Sequence, residues 1–263
     1  ELAARKARRD LLTGIFANAD PDAGDLWLYY YSVLGTPTYH RINFEFKPND
    51  AEQGWLMLPF SGILSNGVDW WIGEAVLIGL DIPVYVQPWG LTKSLVREDV
   101  APFSDIAVTF NPTVKLGFRP FFNEYQRFHF ALKHTSHFSF GGDQFLNVGM
   151  RMSNEAETIV DRLAWNVVEL EVFYQPQPIL SLSPAVRHIA GTAYGSYGPR
   201  TVSYEFSDIA LGGRIGVPLE FDSGVGVGFE GWYFGGPVGE STSDLSKYQD
   251  YGARLYLKMN LFE

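Results

Sequence analysis

Residues 127–139 read RFHFALKHTSHFS. In an extended chain, Phe128, Phe130, Leu132, His134, Ser136 and Phe138 fall on one face. Arg127, His129, Ala131, Lys133, Thr135, His137 and Ser139 fall on the other. A His and a Ser at i and i+2 of a strand stand side by side. An imidazole within reach of a hydroxyl can take its proton and turn it into a nucleophile. His134 and Ser136 are therefore candidates for general base and nucleophile, and they sit on the apolar face. The polar face carries a second H-x-S, His137 to Ser139, together with His129 and Lys133. With five His in the chain, a chance H-x-S is unsurprising, so the parity singles out the first pair and the motif alone does not.

The elements that position this pair show the same period of two. In 39–47, Tyr39, Arg41, Asn43, Glu45 and Lys47 alternate with His40, Ile42, Phe44 and Phe46. In 104–119, 211–221 and 251–261 the pattern repeats, with Lys115, Arg214 and Arg254 on the polar sides. Such alternation predicts half-buried strands. Strands are expected at 25–34, 39–47, 55–63, 72–87, 104–119, 124–139, 144–153, 163–174, 178–193, 201–221, 224–235 and 250–262. Many exceed the soluble mode of about 5–6 residues, and their polar faces carry whole charges.

A soluble sandwich turns its apolar face inward, whereas a membrane barrel turns it to lipid and lines its lumen with polar groups. Strand length, strand number and an aromatic content of 16% favour the barrel. The expected fold is all-β: a closed antiparallel transmembrane β-barrel of about twelve strands, one domain over 1–263, with an amphipathic helical arm within 1–20. Pro83, Pro112 and Pro218 fall inside strands and demand bulges or breaks. Trp27, Trp55, Trp70, Trp71, Trp89, Trp165 and Trp232 are expected in the two interfacial girdles.

The chain has 20 Lys+Arg against 30 Asp+Glu, net −10, which argues against a broad nucleic-acid-binding surface. It has no Cys, so neither a disulfide framework nor a thiolate metal site is expected. Asp143, Glu155, Glu157 and Asp161 could ligate Ca²⁺ near a loop but lack EF-hand spacing, and they read as solvated charges. No cofactor or metal is implied. The glycines of GVGVGFEGWYFGG, 224–236, are expected where strands pack closely, since no helix follows to make a phosphate loop.

The His134-Thr135-Ser136 segment resembles the H-x-S of outer-membrane phospholipase A and of the outer-membrane lipid A deacylases, barrels in which the pair faces the membrane. The phospholipase adds an Asn about a dozen residues after the Ser, and here Asn147 follows by eleven. The deacylase adds a Glu instead. The stretch HTSHFSFGGDQF, followed by Arg151, Ser153 and Glu155, is also similar to an uncharacterised family of outer-membrane barrels. That family's block runs H-x-S-S-H-L-G-D-E; here two extra residues precede the Gly-Asp and Gln144 replaces the Glu. The resemblance spans roughly 104–175. It implies a bacterial outer-membrane location, lipid substrates, and Ser136, His134 and Asn147 as the catalytic set.

Whether Asn147 joins the pair depends on register. A two-residue turn at Gly141-Gly142 would set Asn147 opposite Ser136. The apolar set Leu146, Val148, Met150 and Met152 sends Asn147 and Arg151 inward instead, since a one-residue slip flips every side chain. Inward, Arg151 would join His129, Lys133 and His137 in a lumenal polar cluster that binds an anion or fills the lumen.

Two functions compete. One is a phospholipase A-like or lipid A deacylase-like serine hydrolase acting on lipid acyl esters. The other is a non-enzymatic structural, pore or partner-binding barrel, with a protein partner or oligomer as its context. A third reading is a soluble barrel or sandwich with a ligand inside.

Overall fold

The computed structural model describes residues 26–47, 51–57, 62–72, 75–88, 106–120, 127–140, 158–177, 179–197, 199–220 and 225–262. The expected arm within 1–20 and strand 144–153 lie outside the described residues. All regular structure described is β: β1 (Leu26–Phe46), β2 (Ala51–Met57), β3 (Gly62–Ile72), β4 (Val76–Pro88), β5 (Ile106–Phe110), β6 (Thr113–Phe118), β7 (Arg127–Phe140), β8 (Thr158–Gln177), β9 (Leu180–Tyr197), β10 (Arg200–Glu220), β11 (Val225–Gly236) and β12 (Leu245–Phe262).

Among the described residues these twelve segments fill ten strand positions, against about twelve expected, of which 144–153 lies outside the description. The segments expected at 25–34 and 39–47 form one strand, β1. Its pairing with β12 continues from Tyr30↔Phe262 to Phe46↔Leu245, with one extra β1 residue between Gly35 and Thr38. That bulge resets the parity of the strand above it. On its other edge β1 pairs β3 below, Leu26↔Ile72 to Gly35↔Ile63, and β2 above, His40↔Met57 to Phe46↔Ala51, so β2 and β3 share one position. In the same way β5 and β6 share the position between β4 and β7.

The break between β5 and β6 falls at Asn111-Pro112, facing Pro83, where the prolines leave the ladder without donors. Asn111 N–H donates to the Pro83 carbonyl (3.1 Å) and Ser136 N–H to the Pro112 carbonyl (3.2 Å), so the interruption is stitched on both sides. Pro218 lies beyond the last partner of β10 on β9, Gly216↔Ser181.

The sheet has two tiers. Its lower part runs β1-β3-β4-β5/β6-β7-β8-β9-β10-β11-β12, with β12 back beside β1. At the upper end, which holds Phe46, Tyr197, Arg200 and Leu245, β2 meets β8 in parallel at Glu52↔Ile159. There the sheet passes from β2 to β8 without β3 to β7 between them.

Each tier has its own chemistry, and β10 displays both. On its lower outward face stand Ile209, Leu211, Ile215, Val217 and Leu219, all exposed, Ile215 by 51%. Higher up, the outward residues are Ser203, Glu205 and Ser207. The inward face reverses the order: Tyr204, Phe206 and Ala210 are buried above, and Arg214 lies below. From Ile209 to Leu219 is ten steps of about 3.3 Å, which at a tilt of about 40° projects to about 25 Å, the height of a bilayer-facing apolar band.

Below, the outside is oily and the inside polar. Above, the outside is polar and the inside is an aromatic core of Phe44, Phe46, Trp165, Tyr204, Phe206 and Tyr248. Phe44 lies 5.2 Å from both Trp165 and Tyr248, and Phe46 lies 5.4 Å from Tyr204, centroid to centroid. Each such side chain contributes about 1.5–3 kcal/mol by leaving water.

The expectation for 39–47 is corrected by this reversal. Ile42, Phe44 and Phe46 point inward and are buried, while Arg41, Asn43 and Glu45 face out. At that height the outer medium is water, so the polar set takes the outside. Trp165 and Trp232 likewise face in, one in the aromatic core and one packed against it, rather than joining a girdle. Trp70 does stand exposed near the lower end of β3.

Candidate functional site

β7 turns Phe130 and Leu132 outward and Ala131 and Lys133 inward. His134 and Ser136 follow the outward parity. His134 Nε2 lies 3.3 Å from Ser136 Oγ, so the hydroxyl can donate to the ring when the proton sits on Nδ1. The Ser136–Pro112 backbone bond fixes this strand where the neighbouring ladder is broken.

Both edges of β7 are occupied, by β5/β6 on one side and β8 on the other. Across the β8 ladder, Ser136 stands opposite Asn166 and His134 opposite Val168. Asn166 is exposed on the same outward face, between Ala164 and Val168. It occupies the place beside the pair that sequence reasoning offered to Asn147. Asn147 and Arg151 lie outside the described residues, as do the side chains of Asp143, Glu155, Glu157 and Asp161. The signal for Asn166 was present as a lone polar residue on the even, apolar face of 163–174. What it lacked was the knowledge that β8 is the neighbour of β7.

Registers across β7 to β10 arrange the outward wall in rows. Leu132, Leu170, Val186 and Leu211 make an apolar row. The row above holds His134, Val168, His188 and Ile209, and the next Ser136, Asn166, Ala190 and Ser207. Higher still come Ala164, Thr192 and Glu205. The wall thus passes from hydrocarbon to hydrogen-bonding groups to charge within a few residues. A second imidazole–hydroxyl contact, His188 Nε2 to Ser207 Oγ at 2.9 Å, lies at the same height, two strands from the first.

The inner face of β7 is a different environment. His129, Lys133 and His137 share it but do not gather into one site. His129 stacks on Phe173 with centroids 4.8 Å apart, and His137 lies flat on Trp165 at 3.6 Å. Lys133 Nζ reaches Glu171 at 2.7 Å. Beyond it, Glu169 accepts from Arg187 Nε (2.6 Å) and from both Arg214 terminal nitrogens (2.8 Å each). Arg214 also bonds Glu171, and Arg187 bonds Asp250. Asp250 accepts from Trp232 Nε1 (2.9 Å) and meets His40 Nε2 (2.8 Å). Lower pairs are Lys115–Asp69 and Arg254–Glu230, each at 2.8 Å.

The Arg187 guanidinium lies 3.3 Å above the Phe234 ring. Phe234 fits there because Gly212 faces it, and a Cβ at that position would come within 2.6 Å of the Phe234 Cα. Lys133, His137, Glu169, Glu171, Arg187, Arg214 and Asp250 are among the groups that line a cavity of about 490 Å³. Paired charges in a confined lumen satisfy one another, and losing one partner strands the other. Among the described residues no group of three His, Asp or Glu is placed to hold a metal.

No family model matches the chain, and no curated protein sequence matches it. Solved structures do. The outer-membrane protease OmpT from Escherichia coli superposes with a TM-score of 0.50 at 9% identity, over 89% of this chain and 96% of that one. The outer-membrane phospholipase A from Escherichia coli gives 0.36 at 12%, over 86% and 93%. Neisserial surface protein A gives 0.33 at 10%, over 90% and 99%. The chain has the outer-membrane β-barrel fold.

Proposed function

We propose that this protein closes into a barrel in a bacterial outer membrane and hydrolyses lipid acyl esters at its outer wall. One observation carries the chemistry: His134 and Ser136 make an imidazole–hydroxyl contact on the lipid-facing parity, where the apolar band ends. Pairing of β1 with β12 along both tiers supports closure.

In this reading Ser136 Oγ attacks the ester carbonyl while His134 Nε2 takes its proton. The tetrahedral intermediate collapses, the ester C–O bond breaks, and the departing alcohol receives the proton from His134. Water then attacks the acyl-Ser136, giving up a proton through His134, and the fatty acid leaves. Asn166, across from Ser136 and diagonal to His134, is within reach to orient the ring or to donate to the developing oxyanion.

A second reading rests on the His188–Ser207 contact. Two such contacts at one height are what a non-enzymatic barrel would show where its wall meets lipid headgroups. The assay that separates the two uses the protein in detergent micelles with a fatty-acyl ester. Ser136→Ala and His134→Ala are each expected to lower the rate by roughly 10³-fold or more, as loss of a catalytic Ser or His does, with Ser207→Ala near wild type. Equal rates in all four proteins remove the hydrolase. Asn166→Ala and Asn147→Ala, run side by side, decide which Asn takes part.

A further inference from the structure

We infer that the outward wall of β8 to β10 is a phospholipid seat, in which Asn166, His188 and Ser207 hold the glycerophosphate end and Leu170, Val186 and Leu211 carry the acyl chains. The inference rests on the hydrolase reading only for the fate of the ester; the seat itself stands on the row registers. His188 and Ser207 are joined at 2.9 Å. Asn166 stands one strand from Ala190, the residue opposite Ser207. Directly below runs the exposed apolar row, with Leu170 open by 52%. Hydrogen-bonding groups on a hydrocarbon-facing surface cost free energy unless something meets them. His188 and Ser207 meet one another in part; the second ring nitrogen and the Asn166 amide have donors for an ester or phosphate oxygen held at this depth by the chains beneath it.

A glycerophospholipid presents both parts in one molecule. Asn166 to Ser207 spans two interstrand steps of about 4.8 Å, roughly 10 Å in all. That width suits a lipid with two chains. Charge on the wall begins just above this level, at Glu205, so the seat lies at the upper edge of the apolar band, where headgroups meet chains. Ser136, one step beyond Asn166, then meets an ester of the same molecule.

The test uses Ser136→Ala protein, which holds lipid without turning it over. It is purified in detergent micelles doped with dimyristoyl phosphatidylglycerol, and bound lipid is counted by native mass spectrometry. Adding His188→Phe and Ser207→Ala should lower retained phospholipid by roughly tenfold, the worth of one to two hydrogen bonds. Leu80→Ala, on the distant β4 wall, should leave it unchanged. Folding of each variant is read from heat-modifiable gel migration. Equal retention by the folded His188→Phe/Ser207→Ala protein overturns the seat, as does preferential retention of lipid A from a mixed micelle. Absence of esterase activity in wild type with retention intact would remove the hydrolase and leave the seat standing.

Discussion

Glu169 and Ser136 lie on opposite faces of neighbouring strands and make opposite predictions. Glu169 is 3% exposed and answers Arg187, Arg214 and Lys133. Removing it leaves buried guanidinium groups short of a partner, a loss of about 3–5 kcal/mol. Glu169→Ala should therefore unfold at markedly lower temperature or urea, followed by heat-modifiable migration. Ser136→Ala, on the outer wall, should shift stability by no more than about 0.5 kcal/mol. The side of the wall taken by His134 and Ser136 was legible, because a strand's parity is written in consecutive residues. Asn166 was not legible as their neighbour. Its position depends on which strand pairs β7, and that is decided by contacts some thirty residues away. The charge network was half legible: Lys133 and Arg214 stood out as lumenal, but their partners Glu169 and Glu171 are named only by the register of β8 against β7 and β9.

Strands here cross two media, and β10 is the clearest case. Ile215 faces hydrocarbon, so Ile215→Arg should cost about 2–4 kcal/mol in a bilayer. Ser203, on the same face of the same strand, stands in water, and Ser203→Arg should stay within about 0.5 kcal/mol. Refolding titrations into lipid vesicles would read both; equal costs would mean that the outer face does not change medium along the strand. The strands announced themselves by period, and prolines 83 and 112 announced the break. Two expected strands merged at residues 35–38, where GTPT has the composition of a turn but the ladder to β12 carries on across one bulged residue. The facing of 39–47 failed for a related reason. Alternation says that two faces differ, and only the surrounding solvent says which one turns in.

Across the described residues the sheet lines its inner face with polar groups below and packs it with aromatic rings above. Phe130 stands open to the outside while Lys115 is held inside against Asp69, the arrangement that a membrane wall requires and a soluble sandwich forbids. The upper core fills the lumen at the level of Phe44, Phe206 and Tyr248. Reconstituted into planar bilayers, wild-type protein should show no steady conductance steps. Phe44→Ala with Phe206→Ala, which hollows that level, should admit small ions; ohmic channels in wild type would contradict a filled upper lumen.

Height is the remaining property of that tier. Above Ile209, β10 runs nine more steps to Arg200, which at about 3.3 Å per step and a tilt of about 40° lifts the rim by roughly 23 Å. The turn that joins β9 to β10 thus departs from a pedestal rather than from the lipid surface. Anything that reaches that turn meets protein well before it meets the bilayer.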